Sequence, residues 1–354
     1  MQKNIFIINK SQFGYHTDYY KYCEYLRNEY DVTYLCFDTG HEKLVMQDVK
    51  VKYVSNKGSR TVRGVRFILQ ALVNLFFFKG IVFIHYFEKC ELLKHFFPKK
   101  KMVLDIRTLS ISPNLDIRHR YDTALKNAIS YFNFVTIISE GLRGKLDLNL
   151  EKSAILPLGA DIISTVDKDF GNEIKLLYVG TLNGRNIDQT ILGLSLFLEN
   201  NPENKKLTYD IIGDGDKSEL SDLKNLIEQK NLNSIVTLHG RIPHFKLKPF
   251  FDRCTVGISY IPMTEYYEHQ PPTKTFEYIL SGLFCIATST HSNKELITED
   301  NGILIEDNPE EFANALEFIH NNKNFDSDKI RNTLLESTWK GIIDNILIPI
   351  LNKT

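Results

Sequence analysis

Short apolar runs alternate with amphipathic stretches along this chain, and past about residue 165 the pattern begins again, as in two successive α/β domains. In the first half the runs are Ile5–Ile8, Val32–Phe37, Ile81–Ile84, Met102–Ile106 and Val135–Ile138. They are continuous and not alternating, the mark of strands covered on both faces, and each is bounded by turn or helix signals. Thr17–Tyr30 reads as a helix, with Thr17 at the N-cap and Tyr20, Cys23, Leu26 and Arg27 at helical spacing. In the second half Lys175–Val179, Thr208–Ile212, Ile235–Leu238, Val256–Tyr260 and Phe284–Thr288 read as strands. Ile187–Glu199, Leu220–Gln229, Leu247–Asp252 and Lys274–Leu280 read as the helices between them. Such alternation gives doubly wound parallel sheets. The expected division is residues 1–165, residues 166–335, and a terminal segment 336–354 whose helical run Trp339–Leu351 can cap either domain or pack back on the first.

Composition excludes several classes. Apolar content of 43% and charged content of 25% are those of an ordinary globular chain, and 354 residues bury two cores without staples. Cys23, Cys36, Cys90, Cys254 and Cys285 are scattered and form no C-x-x-C pair, which favours buried thiols over a disulfide framework or zinc site. MQKNIFIINK lacks a cleavable signal pattern, and Phe67–Phe78, the richest apolar run, is broken by Gln70 and Asn74. A cytoplasmic location is expected. The net charge of −1 hides an asymmetry of about +8 before residue 166 and about −9 after it.

Four segments carry candidate chemistry. PPTKTFEYILSGLFCIAT, Pro271–Thr288, opens a helix behind two prolines. The unpaired amides at Thr273, Thr275 and Phe276 and the charge of Lys274 suit a phosphate, and Glu277 can reach a ribose hydroxyl pair. The same residues also fit a plain Pro-started helix with a first-turn Glu. YVGTLNGRN, Tyr178–Asn186, ends a strand at Gly180 and sets Arg185, a candidate phosphate clamp, before a helix; a solvated loop arginine is the alternative. DIIGDGDKSEL, Asp210–Leu220, delivers Gly213 and Gly215 but has Ser218 where a dinucleotide fingerprint needs its third glycine, so it reads as a tight turn flanking a nucleotide. LHGRIP, Leu238–Pro243, places Arg241 and Ile242 where they can flank a base.

In this order, YVGTLNGR, IIGDGDKSELSDL, VTLHGRIP and PPTKTFEYILSGLFCIAT resemble the donor half of the family-4 retaining glycosyltransferases of GT-B fold. ILPLGAD, Ile155–Asp161, is similar to that family's interdomain signature, and SEGL, Ser139–Leu142, to the segment before it. FGYHTDYY, with Gly14, resembles its first glycine loop, and LDIRTLS, Leu104–Ser110, a loop bordering its reaction centre. The resemblance implies two Rossmann-like domains facing across a cleft. It also implies transfer of a sugar from a nucleoside diphosphate, perhaps UDP, with retention and without metal or other cofactor. Arg185 and Lys274 would meet the diphosphate, Glu277 the ribose and Ile242 the base. His16, His85, Asp105 and Arg107 would border the acceptor, with Asp105 or His85 on the base side. The chain departs from the family pattern at His269, which stands where a first glutamate is usual, with Glu268 adjacent. The usual lysine after the arginine is also missing, since Asn186, Ile187 and Asp188 follow Arg185. A GT-B sugar-nucleotide epimerase and a degenerate partner subunit are the rival readings.

Basic and aromatic residues interleave in the first half: Arg60, Arg63, Arg66, Phe67, Phe76–Phe78 and Lys79, then Lys94, Phe96, Phe97 and Lys99–Lys101. They fit peripheral contact with an anionic membrane, at its inner face, and a glycan or lipid-linked acceptor for cell-surface polysaccharide. Nucleic acid is not expected, since no binding motif is present.

Overall fold

The computed structural model describes residues 3–171, 173–202 and 206–353. The chain divides into two compact units, Met1–Gly159 with Trp339–Thr354, and Ala160–Thr338. Each is built on one parallel sheet.

The first sheet holds β1 (Lys3–Ile8), β2 (Tyr30–Asp38), β3 (Val49–Ser55), β4 (Ile81–His85), β5 (Met102–Ile106), β6 (Phe134–Ile137) and β7 (Ser153–Ile155) in the order β3-β2-β1-β4-β5-β6-β7. Its interior strand β5, MVLDI, is buried along its whole length, as a strand between two helical layers must be. The order reverses between β1 and β4, and a crevice opens outside the carboxyl ends of strands at such a switch point. The helix after β1 is Thr17–Leu26, and its N-cap is His16, not Thr17. No side chain caps this helix: the His16 ring bonds Asn9 Nδ2 at 2.9 Å instead.

Tyr19, Tyr22, Phe83 and Trp339 form an aromatic core in this unit, with Trp339 edge-on to Tyr22 at 6.1 Å between centroids. A Cβ on Gly159 would lie 2.6 Å from the Trp339 ring, so glycine is needed for that approach. The terminal segment turns as Trp339–Ile342, a π-helical Ile343–Leu347 and Ile348–Lys353, and it buries Ile342, Ile343, Leu347 and Leu351. Asn352 is fastened to Lys3 Nζ at 2.6 Å and Tyr30 OH at 3.0 Å.

The second sheet holds β8 (Ile174–Val179), β9 (Leu207–Ile212), β10 (Val236–Gly240), β11 (Val256–Ser259), β12 (Phe284–Thr288) and β13 (Gly302–Ile305) in the order β10-β9-β8-β11-β12-β13. Its switch point lies between β8 and β11. The helix Thr273–Leu280 presses directly on β11: a Cβ on Gly257 would meet the Tyr278 ring at 2.2 Å. The Val179 N–H donates to the Tyr278 hydroxyl at 2.8 Å, which fastens this helix to the last residue of β8.

All five cysteines are buried thiols. Among the described residues no helix is long and apolar enough to cross a membrane.

Candidate functional site

The carboxyl edge of the second sheet gathers the glycine-bearing loops. Gly180 N–H donates to Ile212 O at 3.0 Å, Gly213 N–H to Gly240 O at 2.9 Å, and Leu182 N–H to Asp214 O at 2.9 Å. A Cβ on Gly213 would fall 1.8 Å from the Gly180 carbonyl oxygen, so the ends of β8 and β9 touch through bare backbone. Asn183 Oδ1 accepts from Asp216 N–H at 2.6 Å, and Glu219 Oε1 from Gly184 N–H at 3.1 Å. The acidic DGD turn therefore grips the loop that carries Arg185 through its backbone, Glu219 adds a carboxylate on the Gly184 amide, and the acidic turn suits an anion poorly.

Arg185 lies between two residues in the left-handed region, Gly184 at φ 61° and Asn186 at φ 52°. Its guanidinium stacks over the Tyr267 ring, 4.4 Å from the centroid. Burial raises the Tyr178 hydroxyl pKa; the charge of Arg185 opposes this, while Glu219 and Tyr267 add to it. These four side chains share one neighbourhood. Arg241 is exposed, with Asp214 at 3.8 Å. Ile242 packs partly into the core of the unit.

The helix Thr273–Leu280 begins after Pro272 with no side-chain cap. Thr275 turns its hydroxyl inward, bonding Ser259 Oγ at 2.7 Å and Asn293 Oδ1 at 3.2 Å, and its amide donates to Pro272 O at 3.1 Å. Phe276 is buried as well. Lys274 Nζ is paired with Glu277 Oε2, and His244 Nε2 lies 3.2 Å from Glu277 Oε1. Burial works against ionisation of Glu277, but Lys274 and then His244 outweigh it and hold the carboxyl below its ordinary value. A buried carboxylate thus sits between an ammonium and an imidazole that are both partly in solvent, an arrangement suited to accepting hydroxyl hydrogen bonds.

His269 meets His291 edge-on, with centroids 4.6 Å apart. The neighbouring Glu268 accepts from His291 N–H at 2.8 Å, so its carboxylate braces the turn His291–Lys294. Among the described residues, no group of three or more His, Cys, Asp or Glu side chains is arranged to hold a metal ion.

The first unit builds a second cluster at the carboxyl ends of β1, β4 and β5. Gly14, at φ 90°, turns the loop after β1. The His16 ring stacks on Tyr19 at 5.0 Å and meets His85 edge-on at 5.0 Å, and Tyr19 meets His85 at 5.2 Å. Burial, then the neighbouring His16 and Arg107, pulls His85 down to about 3, and burial also lowers His16, so both rings are neutral at pH 7. Asp105 is fully enclosed: Tyr19 OH donates to one oxygen at 2.7 Å and Thr136 Oγ1 to the other at 2.6 Å. Burial raises its pKa, with Arg107, Thr136 and Tyr19 opposing. Asp105 therefore stands in the wall behind the imidazoles, holding Tyr19. Arg107, also buried, donates to Asp18 at 2.8 Å and to Leu156 O at 2.6 Å.

His244, Tyr267 and Tyr19 escaped the sequence reading. His244 lies three residues past Arg241 with no spacing motif around it, and Tyr267 stands in an aromatic pair ahead of the prolines.

Residues 173–322, most of the second unit, match the family described as Glycosyl transferases group 1. Solved structures share the fold of the whole chain. Sucrose-phosphate synthase from Thermosynechococcus elongatus superposes with a TM-score of 0.77 at 13% identity, covering 100% of both chains. Anabaena HepE in complex with UDP and glucose gives 0.75 at 14% identity, over 99% of this chain and 100% of that one. The lipopolysaccharide outer core galactosyltransferase WaaB, in apo form, gives 0.74 at 15%, again over 100% of both. No curated protein matches the chain in sequence. The two parallel-sheet units are those of the GT-B glycosyltransferase fold.

Proposed function

From a second unit whose residues 173–322 are a Glycosyl transferases group 1 domain, we propose that the protein moves a sugar from a nucleoside diphosphate to a glycan or lipid-linked acceptor with retention at the anomeric carbon. One observation carries the reading. Arg185 and Lys274 follow β8 and β11, the two strands flanking the switch point, and the Tyr278 hydroxyl ties the Lys274 helix to the end of β8. That is where an open α/β sheet takes a nucleotide.

In the proposed reaction the bond between the anomeric carbon and the diphosphate oxygen breaks. The acceptor oxygen bonds to the same face of that carbon, and its proton passes to the departing phosphate. The two cations and the amides of Thr273 and Phe276, but not that of Thr275, which is spent on Pro272 O, stabilise the diphosphate as its charge develops, a preorganised field that needs no metal. The Glu277 carboxylate takes the ribose hydroxyls, and Arg241 with Ile242 flanks the base. Gly180 and Gly213 let the ends of β8 and β9 touch through bare backbone, which fixes the loop that carries Arg185. His269 borders the sugar in place of a carboxylate. In the first unit, Gly14, His16 and His85 face the acceptor: the neutral His85 ring can accept a hydroxyl hydrogen bond and His16, whose Nδ1 accepts from Asn9, can donate one from Nε2, while Asp105 positions Tyr19 behind them. HepE, solved with UDP and with UDP-glucose, supports a UDP-linked donor.

The test is turnover of UDP-sugars with and without EDTA, following free nucleoside diphosphate. Steady release that EDTA does not slow is expected. Lys274→Ala should lower it about 100-fold, the usual cost of one such donor, with the protein still folded. Interconversion of donor sugars without diphosphate release would point to an epimerase, and binding without turnover to a degenerate subunit.

A further inference from the structure

The amino edge of the first sheet, remote from its switch point, carries a pocket of about 710 Å³ lined by Lys94, Lys99, Lys100, Lys101 and Lys353 around an apolar wall that includes Leu150. No acidic residue lines it. Among the described residues none pairs an acid with Lys79, Lys99 or Lys101, so these charges face solvent unopposed.

The pocket adjoins the end of the helix Arg60–Phe77, because Lys100 Nζ donates to Phe78 O at 2.6 Å. That helix contains no Asp or Glu. Its inner side packs Phe67, Ala71 and Leu75, so Phe67 belongs to the core. Its outer side is apolar too: Val62, Val65, Leu69, Val73, Phe76 and Phe77 are exposed at helical spacing. Phe77 is 77% exposed and Phe76 71%, with their rings edge-on to each other at 5.0 Å. Phe96, on the helix Glu91–Phe96 that also supplies Lys94 to the pocket, is 61% exposed. Arg60 is paired with Glu88, whereas Arg63 and Arg66 donate to the neutral Asn56 amide and the Ser55 and Lys57 carbonyls, so their charge adds to that of the lysines.

We propose that this face docks on an anionic bilayer, with a phospholipid headgroup phosphate in the lysine pocket and the rings of Phe76, Phe77 and Phe96 in the interface. A helix with one apolar side outward and uncancelled lysines at its end matches a surface that is anionic outside and hydrocarbon below. A second protein copy would bring the same positive pocket against itself, which disfavours that occupant. The proposal does not depend on the transfer reaction.

Co-sedimentation of the full chain with phosphatidylcholine vesicles, with and without phosphatidylglycerol, tests it. Binding is expected only to the anionic vesicles, and it should fall away in high salt. Lys99→Gln with Lys101→Gln should weaken it about thirtyfold, since each cation near such a surface contributes about fivefold. Phe76→Ser with Phe77→Ser should weaken it without changing its salt dependence. Donor turnover in solution should persist in both double variants, which separates this outcome from failure of the proposed reaction. Equal binding to neutral vesicles, or none to either, overturns the proposal. So does a dimer in sedimentation velocity without lipid that the phenylalanine substitutions abolish.

Discussion

The Lys274 ammonium and the Glu277 carboxylate are paired along the helix Thr273–Leu280, and the carboxylate is buried while the ammonium reaches solvent. Burial alone would raise the Glu277 pKa; Lys274, then His244, reverses this and holds it below the ordinary 4.5. A carboxyl with a depressed folded value stabilises the protein above its unfolded pKa and loses that contribution as pH falls through the folded one. The window therefore opens just below pH 4.5 and extends downward. In Lys274→Ala burial is opposed by His244 alone, the folded value rises, and the acid loss of stability should begin at higher pH. Melting temperatures measured from neutral to acid pH decide this: superimposable profiles for the two proteins would show the pair to be without effect.

His244 bonds Glu277, which in the proposed site meets the ribose and not the anomeric carbon, and this makes it a positioning residue. Its ring is half exposed, so the hydrogen bond is screened and contributes about 1 kcal/mol. His244→Ala should raise the donor KM about fivefold with kcat nearly unchanged, because the carboxylate would be less well held for ribose while Arg185 and Lys274 stay in place. An equal fall in kcat and kcat/KM would move His244 into the transition state and overturn the assignment.

The two sheets could be read from the sequence because a strand in a parallel sheet is covered on both faces, and runs such as MVLDI and FCIAT are continuous for that reason. β3 escaped because it is an edge strand: VKVKYVS alternates lysine with apolar residues and buries little. β13 was hidden in GILI, four residues behind a polar turn. Arg185, Lys274 and Glu277 stood out because glycines and prolines beside them fix the local backbone. His244 and Tyr267 did not, because their importance comes from partners on other loops, which only tertiary structure brings near. Asp105 shows the converse. Its sequence setting at a strand end resembles a reaction centre, but the fold places Tyr19 and Thr136 on its two oxygens.

Tyr267 holds Arg185 by its ring face and not by its hydroxyl. Tyr267→Phe should therefore leave kcat/KM for the donor within twofold, whereas Tyr267→Leu should lower it about three- to fivefold, the size of a partly exposed cation–π contact. Arg185→Lys should be worse than either, since lysine neither stacks as a plane nor grips a phosphate with two parallel donors. Steady-state rates for the three variants give the ranking; a Leu variant as active as the Phe one would remove the ring from the account.

Gly213 and Gly184 lie on neighbouring loops at the carboxyl edge of the second sheet, yet they should respond differently to alanine. At Gly184 nothing stands within 4 Å of a new Cβ, and the cost is only that of φ 61°, about 1 kcal/mol. At Gly213 the Cβ would meet the Gly180 carbonyl oxygen at 1.8 Å, backbone against backbone, where no side chain can give way. The strands must part, at about 3 kcal/mol. For a unit of this size each kcal/mol lowers the melting temperature by about 2–4 °C. Gly213→Ala should then melt roughly 6–12 °C lower, and Gly184→Ala roughly 2–4 °C lower. Leu182, tied to Asp214, would move with the parted strands and carry Arg185 out of register, so donor affinity should fall with stability in the first variant only. If both variants lost donor affinity equally, the contact between Gly180 and Gly213 would not be what sets the position of the arginine.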